Sequence, residues 1–237
     1  MERRASRTSH SSSERRPGPQ DRDCDCDCDD TALERFRAVH ELLESGQHDD
    51  EQGLVELLRL GASGLGLDTG AISRIGQGDH EIEVCYGCAP RSRVGGVLPL
   101  TETLCHIAYP RTEPTMIHHV SASQHREAGK RVEPAVEAYA AATLSLGNRP
   151  YGTLSFKGAH PRAAFSKIDR EYMKLLANRA SRMLESREQQ RTLEDSQELL
   201  EQALEASATG VWSYDLITKR VQFDDTVARL DERLEGT

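Results

Sequence analysis

The sequence predicts an α+β fold: an antiparallel sheet with helices on both faces, continued by a long C-terminal helix. Three features predict it. Apolar residues recur every three or four positions in the segments that open and close the ordered region, whereas the stretch between them alternates with period two. Two short turns, "GQGD" at 76–79 and "GNRP" at 147–150, each join two alternating runs, the pattern of antiparallel hairpins. Finally, no Pro or Gly interrupts residues 166–209, about twelve turns at 3.6 residues each.

Residues 1–30 read as a disordered polar tail, Ser-, Arg- and Pro-rich and then acidic in "DRDCDCDCDD", with little to bury. Aspartates beside Cys24, Cys26 and Cys28 keep those thiols hydrated and raise their pKa. A first helix starts at Thr31 as N-cap, with Glu34 completing a capping box, and Leu33, Phe36, Val39, Leu42 and Leu43 form its apolar stripe up to Gly46. A second, "DEQGLVELLRLGASGL", carries Leu54, Leu57, Leu58 and Leu60. Two strands follow in "GAISRIGQGDHEIEVCYG", with Ile82, Val84 and Tyr86 sharing one face and Glu83 and Cys85 the other. A helical "TETLCHIAY" precedes the short strand "PTMIHHV", on which His118 and His119 face opposite sides. Leu144 and Leu146 alternate before the second hairpin turn, Leu154 and Phe156 after it. Ser166 and Asp169 form a capping box for the exit helix, whose apolar residues run through Met173, Leu176, Ala180 and Met183 and resume at Leu193, Leu200 and Leu204. A helix so long and charged cannot bury itself on one small domain. A parallel coiled-coil homodimer through 166–206 satisfies its seam, the alternative being a solvated helix held only at its N-terminal half. Beyond it, two strands around "LITKR" and a short helical segment to Thr237 are too little for an independent core.

Composition excludes several roles. The chain has 237 residues, enough for one or two domains. Its formal net charge of −9, with no basic stripe, argues against nucleic acid as a partner. No apolar run approaches the ~20 residues of a membrane span, and the Arg-rich N-terminus has no apolar signal core. A cytoplasmic location, with reduced cysteines, is the expectation. "GASGLG" precedes a strand instead of following one, the wrong setting for a dinucleotide fingerprint.

The blocks "LLRLGASGLGLDTGAISRI", "LPLTETLCHIAYPRTEPTMIHHV", "AYAAATLSLGNRPYGTLSF" and "FSKIDREYMKLLANRASRMLESRE" resemble the GAF family of small-molecule-sensing domains over residues 31–187. The glycine of "YGTLSF" and the "FSKID" that opens the exit helix are the most specific part. "ALEASATGVWSYDLITKRVQFDD" resembles the opening of a PAS domain, giving a 188–206 signalling-helix linker and an incomplete PAS-like segment at 207–237. This order is similar to bacterial sensor histidine kinases and diguanylate cyclases. It implies an input module for signal transduction. Because the sequence has no kinase H-box, nucleotide-binding G-box or GGDEF motif, output activity is expected of a downstream signalling domain or protein.

The resemblance implies a ligand pocket between the sheet and the "TETLCHIAY" helix, for which Leu98, Leu104, Cys105, Met116, His118 and Tyr139 are the candidates and Tyr86 a further one. The small-molecule ligand and any cofactor stay open. Phytochrome-like members attach a bilin to a cysteine just ahead of the hairpin, and "KRVEPAVEAYAAA" has none. Free methionine sulfoxide reductases of the family place one cysteine in a helix similar to "TLCHIA" and a second shortly before the hairpin, where "HREAGKRVEPAVEAY" has none. A thiol enzyme using Cys105 with Cys85 or Cys88 is the alternative function. "VCYGC" spaces Cys85 and Cys88 as redox dithiols and zinc knuckles do. Yet Cys85 falls inside a strand, no helix N-terminus follows, and zinc's second pair is missing. Packed or pocket-lining thiols are the first reading, and a reversible Cys85–Cys88 disulfide the second.

Overall fold

The computed structural model describes residues 26–44, 51–88, 93–131, 135–207 and 212–223. Helix α1 (Cys26–Glu44) leads into α2 (Glu51–Leu65), then strands β1 (Thr69–Gly76) and β2 (Asp79–Tyr86). After β3 (Val97–Pro99) and one 3-10 turn come α3 (Cys105–Ala108), β4 (Thr115–Ile117) and α4 (Arg126–Arg131). The second hairpin, β5 (Ala138–Leu146) and β6 (Arg149–Gly158), feeds α5 (Lys167–Ser207), and β7 (Trp212–Tyr214) and β8 (Val221–Phe223) form a separate hairpin. The main sheet has six strands in the order β3-β2-β1-β6-β5-β4, every neighbouring pair antiparallel.

The sheet separates two apolar layers. On one face Leu54, Leu57 and Leu58 of α2 and Met173, Leu176, Ala180 and Met183 of α5 pack on Ile72, Val84, Leu144, Leu154 and Phe156. Strand β5 presents Ala138, Ala140 and Ala142 to that layer, and their small side chains let α5 lie close against it. On the other face Leu104, Ile107 and Ala108 cover Tyr139 and Ala141, with Val120 and Val136 beside them. Over Ala138–Ala142 β5 is buried on both faces and carries no polar group but the Tyr139 hydroxyl, whereas Thr143 and Ser145 alternate with Leu144 and Leu146 toward the turn.

Gly152 in β6 sits where any side chain would be excluded. A Cβ there would overlap the carbonyl oxygen of Ser73 on the neighbouring strand. The exit-helix cap forms as the sequence predicts: Asp169 N–H donates to Ser166 Oγ (3.1 Å), and Ser166 N–H donates to Asp169 Oδ2 (2.9 Å).

Four expectations need correction. Helix α1 begins at Cys26, so Thr31 lies inside it instead of capping it, and residues 26–30 are helical instead of belonging to a tail. Periodicity marks a helix only from its first apolar residue, which hides a leading turn that has none. Leu33 is 57% exposed, the inward stripe being Ala32, Phe36 and Val39. The helix expected over "TETLCHIAY" shrinks to Cys105–Ala108, because Pro110 holds Tyr109 in an extended conformation. Strand β4 stops at Ile117, short of His118 and His119. Cys24 and the helix expected near the C-terminus lie outside the described residues.

Candidate functional site

The chemistry gathers under α3, and a β-bulge decides which residues reach it. Ile72 of β1 pairs with Val84, but the next residue, Ser73, pairs with Ile82, leaving Glu83 as an extra residue on β2. Ile72 faces α2 and α5, so Ser73 faces the α3 layer and takes Ile82 with it; Ile75 and its partner His80 follow in phase. Ile82 and Val84 therefore lie on opposite faces, against the simple alternation expected from sequence. Thr153 pairs directly with Ser73, and Ser155 with Ala71, on the same face.

Ser73, His80, Thr153 and Ser155 are all buried. The Ser73 and Thr153 hydroxyls and both ring nitrogens of His80 make no hydrogen bond within the protein. An unsatisfied buried hydroxyl costs about 1–3 kcal/mol, and native interiors keep such groups where something bonds them. Cys105, at the start of α3 and 1% exposed, faces this group. The Tyr139 hydroxyl donates to its sulfur at 3.5 Å. Burial alone would raise the Cys105 thiol, but the adjoining His80, Lys157 and Thr153 outweigh it and bring it down to about 6. The same burial, together with the neighbouring thiolate, pushes the Tyr139 phenol well above its ordinary value. His80 approaches the thiol without closing a hydrogen bond of ordinary geometry. His106 turns outward, its Nδ1 lying 2.5 Å from the Thr103 carbonyl oxygen.

Of the residues singled out from sequence, Leu104, Cys105 and Tyr139 meet in this layer. Leu98, 43% exposed on edge strand β3, pairs with His80 and shares its face at the rim of this layer, whereas His118 is exposed beyond β4. Met116 pairs with Ala140 and packs with the helix-side core, leaving Ile117, the partner of Tyr139, to face α3. Tyr86 also packs on the helix side. Cys85 pairs with Ala71 and so faces the α3 side of the sheet, half-buried. Cys88, in the loop beyond, contacts the Gly70 carbonyl oxygen at 3.7 Å. Burial first, then Cys85, pushes the Cys88 thiol up to about 12. Sequence reasoning missed His80, Ser73 and Thr153. The available signal was a histidine between Asp79 and Glu81, on a strand otherwise apolar in that phase.

On the opposite face, where α5 leaves the sheet, a cleft of about 280 Å³ is lined by Glu83, Tyr151, Arg187, Glu188 and Arg191 among others. Two of its carboxylates are already engaged: the Tyr151 hydroxyl donates to Glu83 at 2.5 Å, and Arg74 bridges Glu81 (2.5 Å) and Glu83 (3.2 Å). Among the described residues no group of three metal-ligating side chains occurs, and no helix is long and apolar enough to cross a membrane.

No protein-family model matches the sequence, and no curated protein matches it significantly. Solved structures do match. The GAF domain of an Acinetobacter phosphoenolpyruvate-protein phosphotransferase superposes with TM-score 0.52 at 17% identity, covering 64% of this chain and 91% of that one. The free methionine-R-sulfoxide reductase of Neisseria meningitidis, solved with its substrate, gives 0.55 at 15% identity over 67% and 92%. A phycocyanobilin-bound GAF domain from a cyanobacterial phytochrome gives 0.51 at 14% over 65% and 94%. Six antiparallel strands between the α2/α5 and α3 layers, continued by the long exit helix, are the fold of a GAF domain.

Proposed function

We propose that the chain is a cytoplasmic sensory input module that binds a small ligand between its sheet and α3 and passes the change along α5. One observation carries this reading: the unpartnered Ser73, Thr153 and His80 groups buried beneath α3. A face meant only for packing would be apolar there. The ligand takes bonds from these groups, and Leu104, Ile107 and Ala108 close over it. A signal follows if the ligand prefers one of two arrangements of the covering layer and the exit helix. Native mass spectrometry of the purified chain is expected to show a co-purified small molecule, lost in the double variant Ser73→Val, Thr153→Val while the fold persists. Ligand-free spectra from the parent chain would overturn the reading.

In the same proposal α5 pairs with its copy in a second chain. Leu193 is 53% exposed and Leu200 60%, with Leu204 continuing the seam. Sedimentation of the Leu193→Glu, Leu200→Glu variant is expected to give the monomer mass with unchanged thermal unfolding, since neither residue packs on the domain. A dimer mass for this variant would count against the seam. The β7–β8 hairpin, with Trp212 64% and Ile217 92% exposed, belongs in this reading to the opening of a PAS domain. That domain relays the signal to an output protein or domain of two-component type.

A second reading, favoured by the acidic Cys105 thiol, is a reductase of free methionine sulfoxide. Turnover with a thiol donor, abolished by Cys105→Ser, would replace the pure sensor.

A further inference from the structure

We propose that Cys105 is a peroxide-reactive thiol, oxidised to a sulfenic acid whose oxygen is held by Ser73, Thr153 and His80. This deepens the sensor reading and rests on it only for the consequence of oxidation; the thiol chemistry is read separately by labelling.

A cysteine in an apolar wall is inert, and 1% exposure alone would place Cys105 in that class. Its surroundings differ. From β2 it meets His80, from β6 Thr153 and Lys157, and from β5 the Tyr139 hydroxyl at 3.5 Å. From its own helix it meets no charge, because His106 turns out to the Thr103 carbonyl. Two of these neighbours are cationic when protonated and none is anionic, so the cluster favours the thiolate. With Cys105 at about 6, roughly nine-tenths of it is thiolate at pH 7, against a few per cent for an ordinary thiol.

The step balances within the cluster. The thiolate sulfur attacks one peroxide oxygen, an S–O bond forms and the O–O bond breaks. Sulfur is oxidised by two electrons, and the peroxide is reduced to water, or to an alcohol if it carries an organic group. His80 supplies the proton that the departing oxygen needs. The oxygen left on sulfur then lies against hydroxyls and ring nitrogens that bond nothing else in the protein, which holds the sulfenic acid in place. Oxidation would occupy the polar groups that the small ligand uses, so peroxide and ligand compete for one site.

The consequence inverts the usual order of exposure. Cys85 and Cys88 are more exposed than Cys105, yet Cys88 is pushed up to about 12 by burial and Cys85 and is almost wholly protonated. The full chain should be treated with limiting hydrogen peroxide, trapped with dimedone and mapped by peptide mass. The adduct is expected on Cys105 ahead of Cys85 and Cys88, at a rate half-maximal near pH 6 in line with its thiol. His80→Gln is expected to slow labelling at pH 7 by about tenfold or more and move the half-maximum toward ordinary thiols. Adduct first on Cys85 or Cys88, or a Cys105 rate indifferent to pH between about 5 and 8, would overturn the proposal. If His80→Gln does not fold, the pH profile of the unsubstituted chain decides. Loss of the co-purified ligand with Cys105 labelling intact would remove the sensor reading and leave this one standing.

Discussion

Phe156→Ala is expected to lower the free energy of unfolding by about 3–5 kcal/mol, the range for deleting a fully buried aromatic ring. Phe156 is wholly buried in β6 and joins three elements. Its ring fills a socket whose walls are glycines: a Cβ on Gly61 of α2 or on Gly70 of β1 would run into it. A cavity bordered by side chains partly collapses after truncation, whereas one bordered by glycine backbone has few atoms to move in. Phe156→Leu, which keeps most of the volume, is expected to cost less than about 1.5 kcal/mol. Denaturant melts of the two variants separate the cases, and equal losses would mean that the glycine socket is not what fixes the cost.

Asp169→Ala is expected to cost about 2–3 kcal/mol, combining a lost cap with the loss of charge-assisted contacts to two partly exposed arginines. The Asp169 side chain is 8% exposed; it accepts from Arg35 Nη1 at 3.1 Å and lies 3.8 Å from Arg162 Nη2. Arg35 also donates to the Gly64 carbonyl at 2.6 Å, and Arg162 to that of Leu65. One carboxylate thus fastens α1, the end of α2, the β6–α5 connection and the first turn of α5. Burial would raise its pKa, but Ser166, Arg35 and Arg162 prevail and hold it below the ordinary carboxylate value. The folded value being depressed, its stabilisation is fully present above the unfolded value of about 3.9 and is lost as pH falls through the lower folded one. Urea melts should therefore show a wide gap between parent and variant at neutral pH, narrowing below about pH 4. A gap unchanged by acid would argue against the ionised carboxylate as the fastening.

Much of this fold was legible because it is written in short-range patterns. The turn between β1 and β2 places Gln77 at φ 55° and Gly78 at φ 90°, and the one between β5 and β6 places Gly147 at φ 57°. Glycines in such runs announce those conformations. The Ser166–Asp169 cap and the three-four spacing of α5 are equally local. The candidate site was less legible because its membership depends on non-local pairing. One extra residue at Glu83 reverses the facing of everything before it on β2, and no alternation rule applied to that strand alone reveals it. That is why His80 escaped notice while Val84 and Ile82 were grouped. Met116 failed for a related reason, since only its pairing with Ala140 fixes the side on which it lies. Leu104 and Cys105 were readable from their place in a covering segment, although that segment keeps a single helical turn.

The exit helix has a mechanical consequence. From Lys167 to Leu184 it is packed on the sheet, whereas Glu188 to Ala203 is exposed throughout. At 1.5 Å per residue the part beyond Leu184 projects about 35 Å. Clamped along its first five turns and free beyond, α5 is a lever whose short arm rests on β5, the strand that carries Tyr139 on its other face. Tilting the clamp by about 5° would swing the far end by about 3 Å over that length. The same tilt moves either end of the clamp by only about 1 Å, so the free arm enlarges a shift made at β5.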